Sequence, residues 1–334
     1  MKIKPWMIGL AFTASAALLA CYAKTPHYNF PKMRLPELER LARTGNPGAE
    51  IDLGERYHAG KGVGQNDALA ARWYRKAAIQ GYAEAQNNLG FLYEHGEGVP
   101  QSHKLAAQWY RNAALQGYPR AQYNLGIAYE FGKGVPQSYK LAAQWYRNAA
   151  LQGYADAQSN LGFLYERGEG VPQSYKLAAQ WTRNAALQGY PRSQYNLGIA
   201  YATGKGVPEN QKLAAQWTRR AAIQGYAQAQ YSLGVDYDNG EGVPENQKLA
   251  AQWYRKAAIQ GHADAQLRLG LLYFLGKGVP KNYVLAYTLS ELAAAGGVKI
   301  AQRAIHMMRP ALTRSELAEA QALATNWKVG TPLP

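Results

Sequence analysis

Seven blocks of 36 residues follow one another through residues 47–298, with no insertion or deletion between them. Trp73, Trp109, Trp145, Trp181, Trp217 and Trp253 recur at this period, as do Gly54, Gly90, Gly126, Gly162, Gly198, Gly234 and Gly270. Tyr57, Tyr93, Tyr129, Tyr165, Tyr201, Tyr237 and Tyr273 keep the same register. A fixed period of this length constrains the fold severely, because each unit can bury its apolar face only against its neighbours and the chain must grow as a solenoid. A solenoid works by presenting an extended surface, so binding is expected before chemistry.

The block 83–118 shows how each unit folds. Ala85, Leu89, Leu92 and Tyr93 fall at i, i+4, i+7 and i+8, one apolar helical stripe. Gly96, Gly98 and Pro100 end that helix, and Ser102 is placed to cap the next. Leu105, Ala106, Trp109, Ala113 and Ala114 form the second stripe, which Gly117 closes. Each unit is therefore helix–turn–helix and the stack is all-α. Gly90 and its equivalents sit mid-helix, where glycine costs about 1 kcal/mol relative to alanine. Repetition of that cost in every block predicts a packing need: the second helix comes close over the glycine, and the tryptophan fills the gap between successive pairs.

The consensus A-x-A-Q-x-x-L-G-x-x-Y-x-x-G-x-G-V-P-x-x-x-x-x-A-x-x-W-x-x-x-A-A-x-Q-G resembles the Sel1-like repeat, a relative of the tetratricopeptide repeat, whose unit is about 34 residues long. The resemblance implies a right-handed superhelical solenoid of seven repeats with helical caps, the first helix of each pair lining the concave face. The repeats run 47–82, 83–118, 119–154, 155–190, 191–226, 227–262 and 263–298. Leu35, Leu38 and Leu41 predict a cap helix within 35–46. Residues 299–328 form the other cap: Thr313 and Glu316 make a capping box before Leu317, Ala320, Leu323 and Ala324. The last repeat replaces its tryptophan by Leu289, as a cap-facing unit should.

A pairwise alternation runs over the period. Position fifteen reads Lys61, Glu97, Lys133, Glu169, Lys205, Glu241 and Lys277, which indicates growth by duplication of repeat pairs.

Residues 1–20 carry Lys2 and Lys4 ahead of a short apolar run, and Leu18-Leu19-Ala20-Cys21 follows. The run is too short for a comfortable membrane span and reads as an export signal. It resembles a bacterial lipoprotein leader, which implies lipidation of Cys21, a tether over 21–34 and, because Tyr22 follows the cysteine, anchorage to the outer membrane on its periplasmic side. Cleavage after Ala23, releasing a soluble periplasmic protein, is the alternative. Cys21 is the only cysteine, so no repeat is stapled by a disulfide and stability must come from stacked apolar area.

The formal net charge is +15, and loss of Lys2 and Lys4 with the leader leaves +13. Much of it is periodic: Lys104, Lys140, Lys176, Lys212 and Lys248 share one position, and Arg75, Arg111, Arg147, Arg183, Arg219 and Arg255 another seven residues on. The two positions align as a basic stripe, either a surface for an acidic partner or a solvated outer face. Nucleic acid is not an expected partner, given the export signal and the lack of any recognised module.

The candidate partner-binding surface follows from helical geometry. Positions 2, 5, 9, 12 and 13 of each unit point away from the stripe at 3, 7, 10 and 11, and they vary most between repeats. Position five gives Asn87, Tyr123, Ser159, Tyr195 and Tyr231; position nine gives Phe91, Ile127, Phe163, Ile199 and Val235. Position twelve gives Glu94, Glu130, Glu166 and Asp238. An apolar and tyrosine row bordered by carboxylates has the composition of an interface with a polar rim. The competing reading is that position nine packs on the neighbouring first helix.

Catalytic signatures are missing from the sequence. The six histidines show no H-E-x-x-H and no pair at ligand spacing, and no G-x-S-x-G elbow occurs. The repeated G-K-G-V-P turns lack a preceding strand and read as helix breakers rather than phosphate loops. No catalytic residue, cofactor or metal is expected. The leading expectation is a non-catalytic, protein-binding solenoid, monomeric when alone. The resemblance implies two concrete roles: an immunity protein that neutralises a lipase or phospholipase toxin delivered by type VI secretion, or an envelope-assembly or host-interaction scaffold. A cell-wall or β-lactam hydrolase is the third class.

Overall fold

The computed structural model describes residue 30 and residues 33–333, which contain seventeen α-helices and no strand. The leader, Cys21 and most of the tether lie outside these residues. The described residues form two compact units that part between Ala113 and Ala114.

The first unit opens with Leu35–Arg43, followed by Pro47–Ala59 and Asp67–Ile79 of repeat one and Ala83–His95 of repeat two. Helix His103–Leu115, the second of repeat two, carries the chain across the division. Leu38 and Ala42 of the cap bury themselves against Ala49 and Leu53, with Leu35, Leu41, Tyr57 and Trp73 around them. The second unit holds repeat three (Pro119–Phe131, Tyr139–Leu151), repeat four (Ala155–Arg167, Tyr175–Leu187) and repeat five (Pro191–Thr203, Gln211–Ile223). Repeat six (Ala227–Asn239, Gln247–Ile259) and repeat seven (Ala263–Leu275, Tyr283–Ala295) complete the array. Ala301–Met308, a 3-10 turn at Arg309–Ala311 and Arg314–Asn326 close it. Leu289 is buried with Ala301, Ile305, Met308 and Ala320, so the last repeat's second helix is covered by the terminal helices. Thr313 and Glu316 form the reciprocal capping box.

Local chemistry sets the element boundaries. Pro47, Pro119 and Pro191 begin their helices, where a missing N–H costs nothing. Ser138, Ser174, Asn210 and Asn246 accept a backbone N–H three residues on and cap their second helices. The two glycines of each turn do different work. Gly168 ends its helix in the left-handed region at φ +72°. Gly170 also has positive φ and lies against the backbone of Tyr139 at the start of the preceding repeat's second helix, where a Cβ would overlap main-chain atoms. Gly98 meets Asp67, Gly206 meets Tyr175, Gly242 meets Gln211 and Gly278 meets Gln247 in the same manner. The turn is thus a joint between repeats.

The mid-helix glycines bear out the packing need, and in four repeats the side chain lying over them is a tyrosine. A Cβ on Gly126 would come 2.5 Å from the ring of Tyr146, and Gly54, Gly90 and Gly234 face Tyr74, Tyr110 and Tyr254 alike. Tyr110, Tyr146 and Tyr254 rank among the largest fully buried side chains, whereas the adjacent tryptophans are half-buried. Trp253 packs onto Ala221, Ala222, Ala229 and Leu233 across a repeat boundary, and Lys256 covers its ring at 4.2 Å. The Leu105 position, placed in the second stripe from sequence, is exposed at 38%.

A buried polar ladder ties repeat to repeat. Gln158 Nε2 donates to the carbonyl of Ala150 in the preceding repeat at 3.1 Å, and Gln188 Nε2 donates to Gln158 Oε1 at 2.8 Å. Gln194 with Gln224 and Gln230 with Gln260 repeat the arrangement. A buried amide with its hydrogen bonds made adds specificity at little net cost, whereas a broken rung leaves buried groups unpaired. The ladder explains why A-x-A-Q and Q-G persist in the consensus.

Candidate partner-binding surface

The first-helix row predicted to bind a partner divides into three classes. Asn87 is only 2% exposed, so it does not reach the surface; its side chain lies inside the repeat and donates to Asn88. The other position-five residues are half-buried, and the tyrosines among them pair with the aromatic residue ending the same repeat. Tyr123 lies 5.4 Å from Tyr154, Tyr195 lies 5.6 Å from Tyr226, and Tyr231 stacks on His262 at 4.7 Å. Burial, with Asp156 adding, pushes the Tyr123 hydroxyl up to about 12. In repeat four Ser159 leaves that slot without a ring, and Tyr190 donates to Asp156 instead.

Position twelve is a correction for three of its four residues. Glu94 accepts the hydroxyl of Tyr110 at 2.8 Å, Glu130 that of Tyr146, and Asp238 that of Tyr254 at 3.2 Å. These carboxylates hold the buried tyrosine of their own repeat instead of forming a free polar rim. Glu166 differs: it is exposed, and its carboxylate has no hydrogen-bond or ion-pair partner among the described residues. The reason is local, since repeat four carries Thr182 where repeats two, three and six carry Tyr110, Tyr146 and Tyr254.

Position nine is divided between surface and packing, with Val235 lying against the apolar core of repeats six and seven. Phe91 is 37% exposed and Ile199 42%, while Phe163, Ile127 and Val235 are half-buried. Phe163, Glu166 and Ile199, three of the predicted residues, meet around one cleft of about 290 Å³ between repeats four and five. Thr182, Tyr175, Asn196, Tyr226, Arg192 and Lys205 also line it. The guanidinium of Arg167 lies 5.1 Å from the Phe163 ring, and the Lys205 ammonium 5.6 Å from that of Tyr175. A lining that mixes apolar side chains with a few charged and polar groups is suited to receive a side chain from a partner.

The basic stripe is a more structural feature. Its lysines are exposed, but Arg75, Arg147 and Arg255 donate to the hydroxyls of Tyr93, Tyr165 and Tyr273 in the following repeat. One polar cluster was invisible in the sequence because two repeats contribute to it. His58 Nδ1 lies 2.8 Å from Asp67 and 3.8 Å from Glu97, with all three ligand atoms within 4.8 Å. Such a donor set can hold a divalent cation; here its shortest contact is the His58–Asp67 hydrogen bond. In repeat six, Asp236 occupies a slot that is leucine in repeats two, four and seven, and burial, with Glu241 adding, pushes its carboxyl up to about 7.

The Sel1 repeat pattern matches residues 47–82, 83–118, 119–154, 155–190, 191–226, 227–262 and 263–298. The chain belongs to the Sel1 repeat family. Among solved structures, this Sel1 repeat protein is similar to one from Oxalobacter formigenes at 37% identity, over 81% of this chain and 78% of that one, with a TM-score of 0.69. It is similar to c5321, a protective antigen of uropathogenic Escherichia coli strains with an SLR fold, at 28% identity over 86% and 85%, with a TM-score of 0.53. The immunity protein PA5088 of Pseudomonas aeruginosa matches at 22% identity over 68% of this chain and 88% of that one, with a TM-score of 0.42. No curated protein matches the chain. The Sel1 repeat scaffold is typical of proteins that work through protein–protein contacts.

Proposed function

We propose that this Sel1 repeat protein is a non-catalytic binding solenoid whose partner is a protein, seated on the first-helix row. The observation that supports this best is the meeting of Phe163, Glu166 and Ile199 at one cleft, with half-exposed apolar side chains beside charged ones. The finer reading is an immunity role: the chain is carried to the periplasm, anchored through Cys21 at the outer membrane, and neutralises a secreted lipase or phospholipase by occluding it. That reading rests on the leader and on the resemblance of the repeats to exported members of the family. A host-facing role is the second reading, favoured by the likeness to the protective antigen c5321.

Affinity capture with the full chain as bait, against envelope and secreted fractions of the producing cells, separates these readings. A single stoichiometric hydrolase supports the immunity role. Resident envelope proteins without a toxin move the assignment to a scaffold. Capture of host proteins alone favours the second reading, and capture of no protein at all rejects a protein partner. Labelling with radioactive palmitate tests the anchor, since a Cys21→Ala chain should lose the label.

A further inference from the structure

The cleft of repeats four and five is the place of a missing ring. In repeat three, Tyr146 lies over Gly126 with its hydroxyl held by Glu130 and by Asn160 of the next repeat. Repeat four keeps every part of that arrangement except the ring. Gly162 is in place, Glu166 stands for Glu130 and Asn196 for Asn160, but Thr182 replaces the tyrosine. The Thr182 hydroxyl sits over Gly162, and the space beyond it is the cleft, with both Glu166 and Asn196 on its wall. Neither of these side chains has a hydrogen-bond partner among the described residues.

Repeat five is the control that the chain itself supplies. Thr218 also replaces the tyrosine there, but Ala202 has replaced the carboxylate, and Ser232, at the asparagine position, pairs with Tyr195 at 3.2 Å. Ring and acceptors are gone together in repeat five. Repeat four alone lacks the ring and retains the groups that bind a phenol.

We infer that the cleft lined by Thr182, Glu166 and Asn196 receives a tyrosine side chain from the protein partner, its hydroxyl donating to Glu166. A phenol donating to a carboxylate makes a charge-assisted hydrogen bond, and Phe163 and Ile199 supply the apolar walls that a ring needs. Arg192 and Lys205 in the lining disfavour a lysine or arginine tip, and a purely aliphatic side chain would leave Glu166 without a hydrogen-bond donor. The inference rests on the reading of the chain as a protein-binding solenoid and names the chemistry that its surface selects.

The test uses p-cresol as the probe and toluene as its control, titrated into the full chain and followed by NMR or by crystal soaking. p-Cresol should bind saturably beside Phe163 and Ile199, at least fivefold more tightly than toluene. Thr182→Tyr restores the ring found in repeat three, so the variant is expected to fold, and it should weaken p-cresol binding at least tenfold. Glu166→Ala, a surface change, should weaken p-cresol and leave toluene unaltered. Equal binding of the two probes, or p-cresol binding indifferent to Thr182→Tyr, overturns the inference. Affinity capture separates its failure from that of the broader reading. A partner that binds wild type and Thr182→Tyr equally rejects the tyrosine site and keeps the binding solenoid; a partner lost at least tenfold by Thr182→Tyr supports both.

Discussion

Repeats three and four share a backbone and differ in what fills it. In repeat three, Tyr146 is fully buried, packs on Gly126 and hands its hydroxyl to Glu130. In repeat four, Thr182 stands at the same position, Gly162 faces a small hydroxyl, and a cleft opens beside Glu166. The helices keep the same lengths, caps and turns in both. The frame is therefore set by the glycines, alanines, leucines and glutamines common to both repeats. The tyrosine is an insert that the frame tolerates losing, and its loss turns interior into surface.

Substitutions can break or sharpen this comparison. The largest effect should come from the shared frame: Gly170→Ala and Gly206→Ala each force a Cβ against the preceding repeat's main chain at positive φ. Each should cost about 4 kcal/mol in denaturant titration, whether or not its repeat holds the tyrosine. A cost differing strongly between the two would mean that the frame is not common. Next, Tyr146→Thr should cost about 3 kcal/mol by removing a buried ring. If repeat three then opens a cleft like that of repeat four, a crystal structure of the variant will show it; collapse of the site would refute the idea of a rigid frame.

The comparison extends to repeat six through Asp236. Its folded pKa lies above the ordinary carboxylate value, so between pH 3.8 and about 7 the folded protein holds a proton that the unfolded chain has released. Stability therefore falls as pH rises through that window, by about 2 kcal/mol after allowance for partial solvent exposure. Asp236→Asn should flatten the pH profile of the unfolding midpoint; an unchanged slope would remove Asp236 as its source. The smallest effects concern the mid-helix glycines. Gly126→Ala should cost about 2 kcal/mol because the Tyr146 ring is wedged, whereas Gly162→Ala should cost about 1 kcal/mol, since the Thr182 hydroxyl can rotate away and leaves only the tight approach to the Ala178 carbonyl at 3.2 Å, against which alanine's helix preference counts. Equal costs would show that the ring does not set the spacing.

Much of the frame could be read from the chain. The period fixes the repeat boundaries, and Ser138, Ser174, Thr313 and the turn glycines act as their sequence neighbours imply. What escaped were contacts between residues 16, 30 or 34 apart, which depend on how two helices pack. Glu130 reads as a surface carboxylate until Tyr146 is seen to reach it from the other helix. Asn87 and Ser159 share a repeat position, yet one is buried and the other half-buried, because burial depends on side chains from neighbouring helices. The cleft could have been found in the sequence by asking which repeats lose tyrosine while keeping glutamate, a question the period alone does not pose.

The glutamine ladder has a consequence for how such a chain can change size. Each rung joins amides 30 residues apart, then reaches back eight residues into the unit before. One residue added inside a helix between rungs would turn an amide about 100° away from its carbonyl. Removing one whole unit would instead bring together two faces already matched elsewhere in the array. The helical part of this protein is consequently quantised in steps of 36 residues, and a variant within residues 47–298 that keeps every rung should differ from it by whole steps or by changes confined to the turns.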